Sequence, residues 1–455
     1  MSLFYRIVRN FRTVRTPSEP QPAHPLNLLN PIVQAIGRYF HAYRLVTALL
    51  LHACFGYEFA RTRHTGGSTL PPDCIFHPSR SIIMNQLNCL PQASILWGTN
   101  ILADSIARLG DHGIDRPITF TVTALEYLNR TYLQPNIKQG VGTFTDLPAH
   151  VPDFAVEKGL AACIGLKANS IIALGGGSVL DAAKAVSYRH FQQTGRYLPI
   201  AALPTTLSGS EFSHYFGITE TGGQEKFKRS YGIRETVPKV VVIDPVLLLD
   251  TPRPLLLSSA IKGMDHAVEG MRLVEVDHPH AIMAASGLER FFSVLKRWPK
   301  AIETRQAITQ GLVTGENLLQ LQLAAWQCYF SPASVIYGLS HRIGHILGGT
   351  YGVPHSATSC ITLAPVIRAC AAFYGPKLDV FCAPRGNDSA AEQLATRIGR
   401  LVTSLGLPNR ISHFDIDASQ LPKIAEMLNV NYPKEVEDLG SNAAGKLDRL
   451  LESLW

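Results

Sequence analysis

Three features of the chain predict a two-part fold, a parallel α/β sheet domain followed by an all-helical domain. From about Cys74 to Pro245, short β-rich runs alternate with helical stretches, the pattern of a parallel sheet covered on both faces. After Asp250 the strand signals stop, and long apolar-periodic stretches continue to the C-terminus. At 455 residues the chain is also too long for one compact core. The expected partition is an N-terminal extension over 1–72, an α/β domain over 73–248 and a helical domain over 249–455.

In the extension, "SEPQPAHPLNLLNP" is a proline-rich linker and "IVQAIGRYFHAYRLVTALLLHACFGYEF" is apolar with interspersed Arg and His. Its longest charge-free run, "LVTALLLHACF", is well short of the roughly 20 residues needed to span a bilayer. Three readings stand: an interfacial helix making peripheral membrane contact through residues 1–60, a mitochondrial presequence, or a helix packed on the main body.

In the α/β part, "ASILWGTN" reads as a strand before the helix "ILADSIARLGDHG", and "PITFTVT" as the next strand. "SIIALGGG" is a strand running into the helix "SVLDAAKAVSYRHF", and "YLPIAALPTT" and "KVVVIDP" are further strands. Beyond Asp250, "HAIMAASGLERFFSVLKRW", "GENLLQLQLAAWQCYF", "HSATSCITLAPVIRACAAFY", "AAEQLATRIGRLVTSLG" and "AAGKLDRLLESLW" read as helices.

The bulk composition excludes several classes. Hydrophobic residues make up 46% and charged residues 17%, the balance of a globular rather than a disordered chain. The net charge of +7 is concentrated in Met1–Pro72, which holds eight arginines, no lysine and only the acids Glu19 and Glu58. The remainder is near neutral and offers no basic groove for nucleic acid. Eight scattered cysteines without a CxxC pair fit free thiols in a reducing compartment. "MSLFYRIVRNFRTVRTP" lacks the continuous apolar stretch of a cleavable secretory signal. The expectation is therefore a cytoplasmic protein, the alternatives being mitochondrial or peripherally membrane-associated through the extension.

Two segments carry the chemistry of a phosphate ligand. Gly175, Gly176, Gly177 and Ser178 lie between a strand and a helix, where glycines admit a phosphate close to the backbone and the helix start offers unpaired N–H groups. Asp181 and Lys184 follow on that helix. A tight strand-to-helix turn would use the same glycines, and the GxGxxG fingerprint is absent. In "LPTTLSGSEFSHYFGITE", Thr205, Thr206, Ser208 and Ser210 cluster hydroxyls after a strand, as a phosphate or ribose site would and as a helix cap would.

The third segment, "YGLSHRIGHILGGTYGVPHS", holds His341, His345 and His355. The first two are four apart and share a helix face, which suits a metal site or a proton relay.

Taken in order, "GGGSVLDAAK", "LPTTLSGSE", "IDPVLLLDTP", "GMDHAVEG" and "GLSHRIGHILGGTYGVPHS" resemble the iron-containing alcohol dehydrogenase superfamily, a fold of the dehydroquinate synthase type with a Rossmann-like first domain. The short "PTT-x-x-GSE" and "HxxxHxLGGxxxxPH" are most similar to its maleylacetate reductase branch. The resemblance covers about 75–455. It implies NADPH or NADH between the two domains, a small-molecule substrate and a homodimer. By motif position, Gly175, Gly176, Gly177, Ser178 and Asp181 would hold the cofactor, with Thr205, Thr206 and Lys184 beside it and Lys226 or Lys228 at a ribose. Ala124 stands where several relatives carry an acid directed at the adenosine ribose, which removes one bar to a 2′-phosphate.

Metal-dependent members of the superfamily place an Asp four residues before the first of three histidines. His266, His341 and His355 match those histidines and would be the ligands of a metal, but the Asp position is Lys262. An ammonium has no lone pair for a metal and repels one. Asp265, next to His266, is expected to point elsewhere. The expectation is therefore a metal-independent NAD(P)H-dependent reductase acting on a carbonyl or conjugated double bond of a small oxo-acid-like substrate. Lys262, His266, His341 and His355 would orient the substrate oxygen and His345 would deliver the proton. The alternatives are an Fe- or Zn-dependent alcohol dehydrogenase and a non-redox lyase or cyclase on the same scaffold.

Overall fold

A computed structural model describes residues 87–222, 227–329, 337–384, 386 and 388–455. The expectations for residues 1–72, and Lys226, lie outside these residues.

Strands β1 (Ser94–Trp97), β2 (Pro117–Phe120), β3 (Gly142–Phe144), β4 (Ser170–Gly175), β5 (Ile200–Pro204) and β8 (Val240–Ile243) form one six-stranded sheet in the order β1-β8-β5-β4-β2-β3. Every pairing in it is parallel. Side chains of β2, β4, β5 and β8 are buried along their whole lengths, as interior strands with helices on both faces require. The outermost strands, β1 and β3, are partly exposed. Helices α1 (Leu102–Ala107), α2 (Asp153–Gly165) and α3 (Gly177–Thr194) accompany the sheet.

The chain steps from β2 outward to β3, then returns past β2 to β4 and continues away through β5 and β8. The order therefore reverses between β2 and β4, and a crevice opens beyond the carboxyl ends of strands at such a point. Gly175 ends β4 there, and Ala124 follows β2 by a short turn.

One element has no counterpart in the expected pattern, the antiparallel hairpin β6 (Tyr215–Glu220) and β7 (Phe227–Gly232). Its two strands sit within segments to which the sequence reading assigned no strand. The "SGSE" run does not cap a long helix but makes only the three-residue 3-10 turn Ser210–Phe212, after Gly209 at φ 78°.

From Arg253 onward the described chain is helical: α4 (Arg253–Glu269), α5 (Pro279–Leu295), α6 (Gly315–Cys328), α7 (Leu339–Gly349), α8 (His355–Ala369), α9 (Ala390–Ser404), α10 (Leu421–Asn431) and α11 (Ala443–Leu454), with short turns between. Helix α4 is buried on all sides from Leu256 to Glu269 and runs through the core of this half. Its polar residues are thus committed to interior partners. The two halves belong to one unit, Met84–Trp455. They are joined by Leu207 N–H to Ser259 Oγ at 3.0 Å, Thr251 Oγ1 to Thr205 O at 2.5 Å and Gln322 Nε2 to Asp244 O at 3.2 Å.

Candidate active site

The glycine turn stands at the reversal point. Gly176 precedes the first residue of α3 with no side chain capping the helix start, so its first N–H groups remain available to a ligand. A Cβ at Gly175 would come 2.6 Å from Val179 Cγ2, and one at Gly176 would come 2.8 Å from Thr206 Cγ2. The backbone is therefore pressed against the hydroxyl segment, where Thr206 Oγ1 and Ser208 Oγ lie 3.0 Å apart. Ser178 is exposed at the helix start. This uncapped, side-chain-free cradle fits the phosphates of a dinucleotide.

Asp181 and Lys184 turn toward the segment after the hydroxyl cluster. Asp181 accepts from Ser210 Oγ at 2.8 Å and from Gly217 N–H at 3.2 Å. The Lys184 ammonium is fully buried and donates to Ser210 O at 2.6 Å, Ser210 Oγ at 3.0 Å and Tyr215 O at 3.0 Å. Burial brings it down to about 8, against the pull of Asp181 and Glu211. Lys184 thus anchors the hairpin beside the cradle. Lys228, on β7, packs over Gly217, and its charge reaches His150, Lys262, His345 and His355.

The histidines come from three helices. His266 lies on α4, His341 and His345 share the inner face of α7, and His355 is the first residue of α8. The bend between α7 and α8 includes Gly352 at φ 71°, a conformation that favours glycine. Ring contacts run through the cluster: His266 and His341 centroids are 4.9 Å apart, and those of His345 and His355 are 5.7 Å apart. Tyr337 stacks on His341 at 4.2 Å and 5°, and Tyr329 meets His266 edge-on at 4.8 Å.

Lys262 points into this cluster and is 2% exposed. Burial, and next to it the Lys262 charge, hold His266, His341 and His355 well below the ordinary imidazole range. For His345 the added charges are Arg342, Lys228 and Lys262. Lys262 Nζ, His266 Nδ1, His341 Nε2 and His345 Nδ1 are all buried without a hydrogen-bond partner. Buried polar atoms are ordinarily satisfied, so these four are groups that a ligand oxygen would complete.

The expectation that Asp265 points elsewhere is corrected. Residues three and four along a helix flank the same face, so Asp265 and His266 lie on either side of Lys262's direction. Asp265 Oδ2 is 3.6 Å from Lys262 Nζ, 3.2 Å from His341 Nδ1, and accepts from Ser359 Oγ at 2.5 Å and Ser340 Oγ at 3.2 Å. Glu269, one further turn along, contacts His341 Nδ1 at 2.6 Å. Sequence reasoning passed over Glu269, Tyr329 and Tyr337. For Glu269 the signal was present, since 262, 265, 266 and 269 repeat at helical spacing in "KGMDHAVE".

A metal does not fit these donors. Among His266, His341 and His355 stands the Lys262 ammonium, whose charge is felt by each ring. Asp265, Glu269 and His341 offer ligand atoms within 4.8 Å of one another. Yet Glu269 Oε2 and His341 Nδ1 are 2.6 Å apart, a hydrogen-bond distance. Two ligand atoms around one tetrahedral zinc stand roughly 3.4 Å apart.

Residues 93–245 match the family described as iron-containing alcohol dehydrogenase, and residues 256–431 match the C-terminal part of the Fe-containing alcohol dehydrogenase family. A maleylacetate reductase of Pseudomonas aeruginosa is 31% identical over 280 residues, 62% of this chain and 74% of that protein. Maleylacetate reductase 1 of Cupriavidus pinatubonensis is 27% identical over 333 residues, 73% of this chain and 86% of that protein. Among solved structures, a maleylacetate reductase from Agrobacterium tumefaciens superposes with a TM-score of 0.66 at 22% identity, covering 82% of this chain and 99% of that one. An iron-containing alcohol dehydrogenase from Corynebacterium glutamicum does so with 0.68 at 24%, covering 82% and 97%. The two matched regions meet beside the histidine cluster, where a Cβ at Gly209 would stand 3.2 Å from His266 Nδ1. The chain belongs to the iron-containing alcohol dehydrogenase family and is an NAD(P)-dependent oxidoreductase similar to the maleylacetate reductases.

Proposed function

We propose that this oxidoreductase is metal-independent and reduces a carbonyl, or a double bond conjugated to one, in a small oxo acid. The observation that carries the reading is the Lys262 ammonium, buried without a hydrogen-bond partner among imidazole nitrogens that also lack one. The nicotinamide, when bound, supplies the hydride. Its phosphates would be held by the Gly175–Gly177 turn and the start of α3, with Ser178, Thr205 and Thr206 alongside.

A carbonyl that accepts hydride gathers negative charge on its oxygen, and a fixed cation in a water-poor site stabilises that charge most strongly. Lys262 meets this requirement without a metal, because Asp265 pairs with it from one side and leaves the other free. His266 and His355 fix the oxygen's direction. His345, held neutral by burial and by the neighbouring Arg342, Lys228 and Lys262, acts as a relay, giving a proton from one ring nitrogen and regaining one at the other. Lys228, cationic at the same cluster, suits a substrate that carries a carboxylate.

The test is cofactor turnover by chelator-treated protein against a panel of saturated and unsaturated oxo acids, with NADH and NADPH compared. Oxidation of reduced cofactor, unchanged by chelation, is the expected result. Activity that disappears with the chelator and returns with iron or zinc would overturn metal independence. Product formed with no net change in cofactor would overturn the reductase reading.

A further inference from the structure

Behind His341 lies a carboxylate with an unusual number of donors. Glu269 Oε2 receives the N–H of Gly338 at 2.9 Å, the N–H of His341 at 3.2 Å and contacts His341 Nδ1 at 2.6 Å, while Oε1 receives the N–H of Ser340 at 2.6 Å. These amides belong to the cap and first turn of α7, which no side chain of its own caps. Glu269 therefore closes the start of one helix from the end of another, with acceptor oxygens at the N–H groups that helix leaves unpaired. Gly338 is small for this purpose, since a Cβ there would stand 2.9 Å from Glu269 Oε1.

Backbone amides can only donate, and Oε2 already accepts from two of them, so the proton that burial and Asp265 favour by raising Glu269 to about 8 is seated on Oε1 and Nδ1 faces an acceptor. The same side of the imidazole faces a second carboxylate, with Asp265 Oδ2 at 3.2 Å from Nδ1. Ring orientation is fixed as well, because Tyr337 covers one face at 4.2 Å and His266 stacks at 4.9 Å. The remaining nitrogen, Nε2, is buried without a partner.

We infer that Glu269 is a positioning residue that holds His341 as the Nδ1–H tautomer, so that Nε2 carries a lone pair able to accept from the hydroxyl of the reduced substrate. This rests on the histidine cluster being the reaction site. Its consequence is a division of labour: Lys262 donates to the substrate oxygen, and His341 accepts from the hydroxyl formed on it. The reduced product is thereby held in register, and a carbonyl whose oxygen bears no proton makes one contact fewer.

The experiment reads the tautomer directly, by long-range proton–nitrogen NMR of full-length protein labelled with ¹⁵N-histidine, with and without NADPH, His341 being assigned through His341→Asn. The expected spectrum has a protonated, pyrrole-type Nδ1 and an unprotonated, pyridine-type Nε2. Glu269→Leu removes both acceptors, so Nδ1–H loses this partner, the pyridine-type signal spreads over both nitrogens and kcat falls about 10–100-fold, the usual cost of losing a group that orients a working imidazole. The KM for cofactor stays unchanged. Glu269→Asp, which keeps the carboxylate, retains the wild-type tautomer and restores part of kcat.

A pyrrole-type Nε2 in the wild-type protein overturns the inference, as does Glu269→Leu with wild-type tautomer and kcat. Should Glu269→Leu fail to fold, the wild-type spectrum and Glu269→Asp still decide. Because the tautomer is read without a substrate, its failure is distinguishable from failure of the reductase reading.

Discussion

Lys262 and Asp265 lie one turn apart on α4 with ammonium and carboxylate 3.6 Å from each other, at 2% and 0% exposure. Burial pushes the lysine down and the aspartate up, while their attraction opposes both shifts. The cation thus sits at the position where the sequence resemblance implies a metal-binding carboxylate, and the carboxylate three residues later lies beside it. Lys262→Met should lower kcat by about 10²–10³, the scale seen when a donor to a developing oxyanion is removed. Lys262→Asp should create a site for one Fe²⁺ or Zn²⁺ with His266, His341 and His355, measured as bound metal per chain by elemental analysis. Wild-type protein that carries a stoichiometric ion would contradict both expectations.

Gly176 tests the cofactor cradle. A methyl group there would press on Thr206 Cγ2 at 2.8 Å and stand between backbone and phosphate. Gly176→Ala should weaken NAD(P)H binding about tenfold or more, near 1.4 kcal/mol, by calorimetric titration. A modest fall in melting temperature should accompany it, since Thr206 must shift to admit the methyl group. Unaltered affinity would remove this turn from the cofactor site.

Ala124 bears on the choice of cofactor. It is exposed in the turn Thr123–Leu125 that follows β2, next to β4 in the sheet. A carboxylate at such a position bonds a ribose 2′-hydroxyl and repels a 2′-phosphate. Ala124→Asp should shift the ratio of kcat/KM values toward NADH by about tenfold, or 1.4 kcal/mol. An unchanged ratio would place the adenosine ribose elsewhere.

Glu211 makes a prediction about stability. It is 2% exposed, its Oε2 has no hydrogen-bond partner, and burial raises it from 4.5 to about 7. A carboxyl raised on folding favours the folded state while it is neutral. That contribution is complete below pH 4.5, the ordinary value, and is lost as pH rises through about 7. Glu211→Gln removes the ionisation, so it should be more stable than wild type at pH 8 by on the order of 2–4 kcal/mol. The gain should shrink toward zero at pH 5, as followed by denaturant unfolding at both values. A pH-independent difference would show that Glu211 does not titrate in this range.

The chain by itself determined the parallel sheet, because β4 and its neighbours are continuous apolar runs separated by helical periods, and such patterns depend only on local spacing. It also determined the glycine turn and the histidine-bearing helices, whose residues lie within single short segments. The β6–β7 hairpin was passed over: β6 carries the β-prone Tyr215, Phe216, Ile218 and Thr219 and was legible, whereas β7 carries Lys228 and Arg229 and becomes a strand by pairing with it. Which way Asp265 pointed was not legible. That was decided where α4 packs beside α7 and α8, bringing Ser340, His341 and Ser359 against one carboxylate from residues about 75–94 positions away in sequence. Nor could sequence reveal that Glu269 caps α7 and holds His341. Spacing places residues on a helix face, but the partner that meets the face is chosen by tertiary packing, because a buried polar group must find its donors wherever the fold brings them.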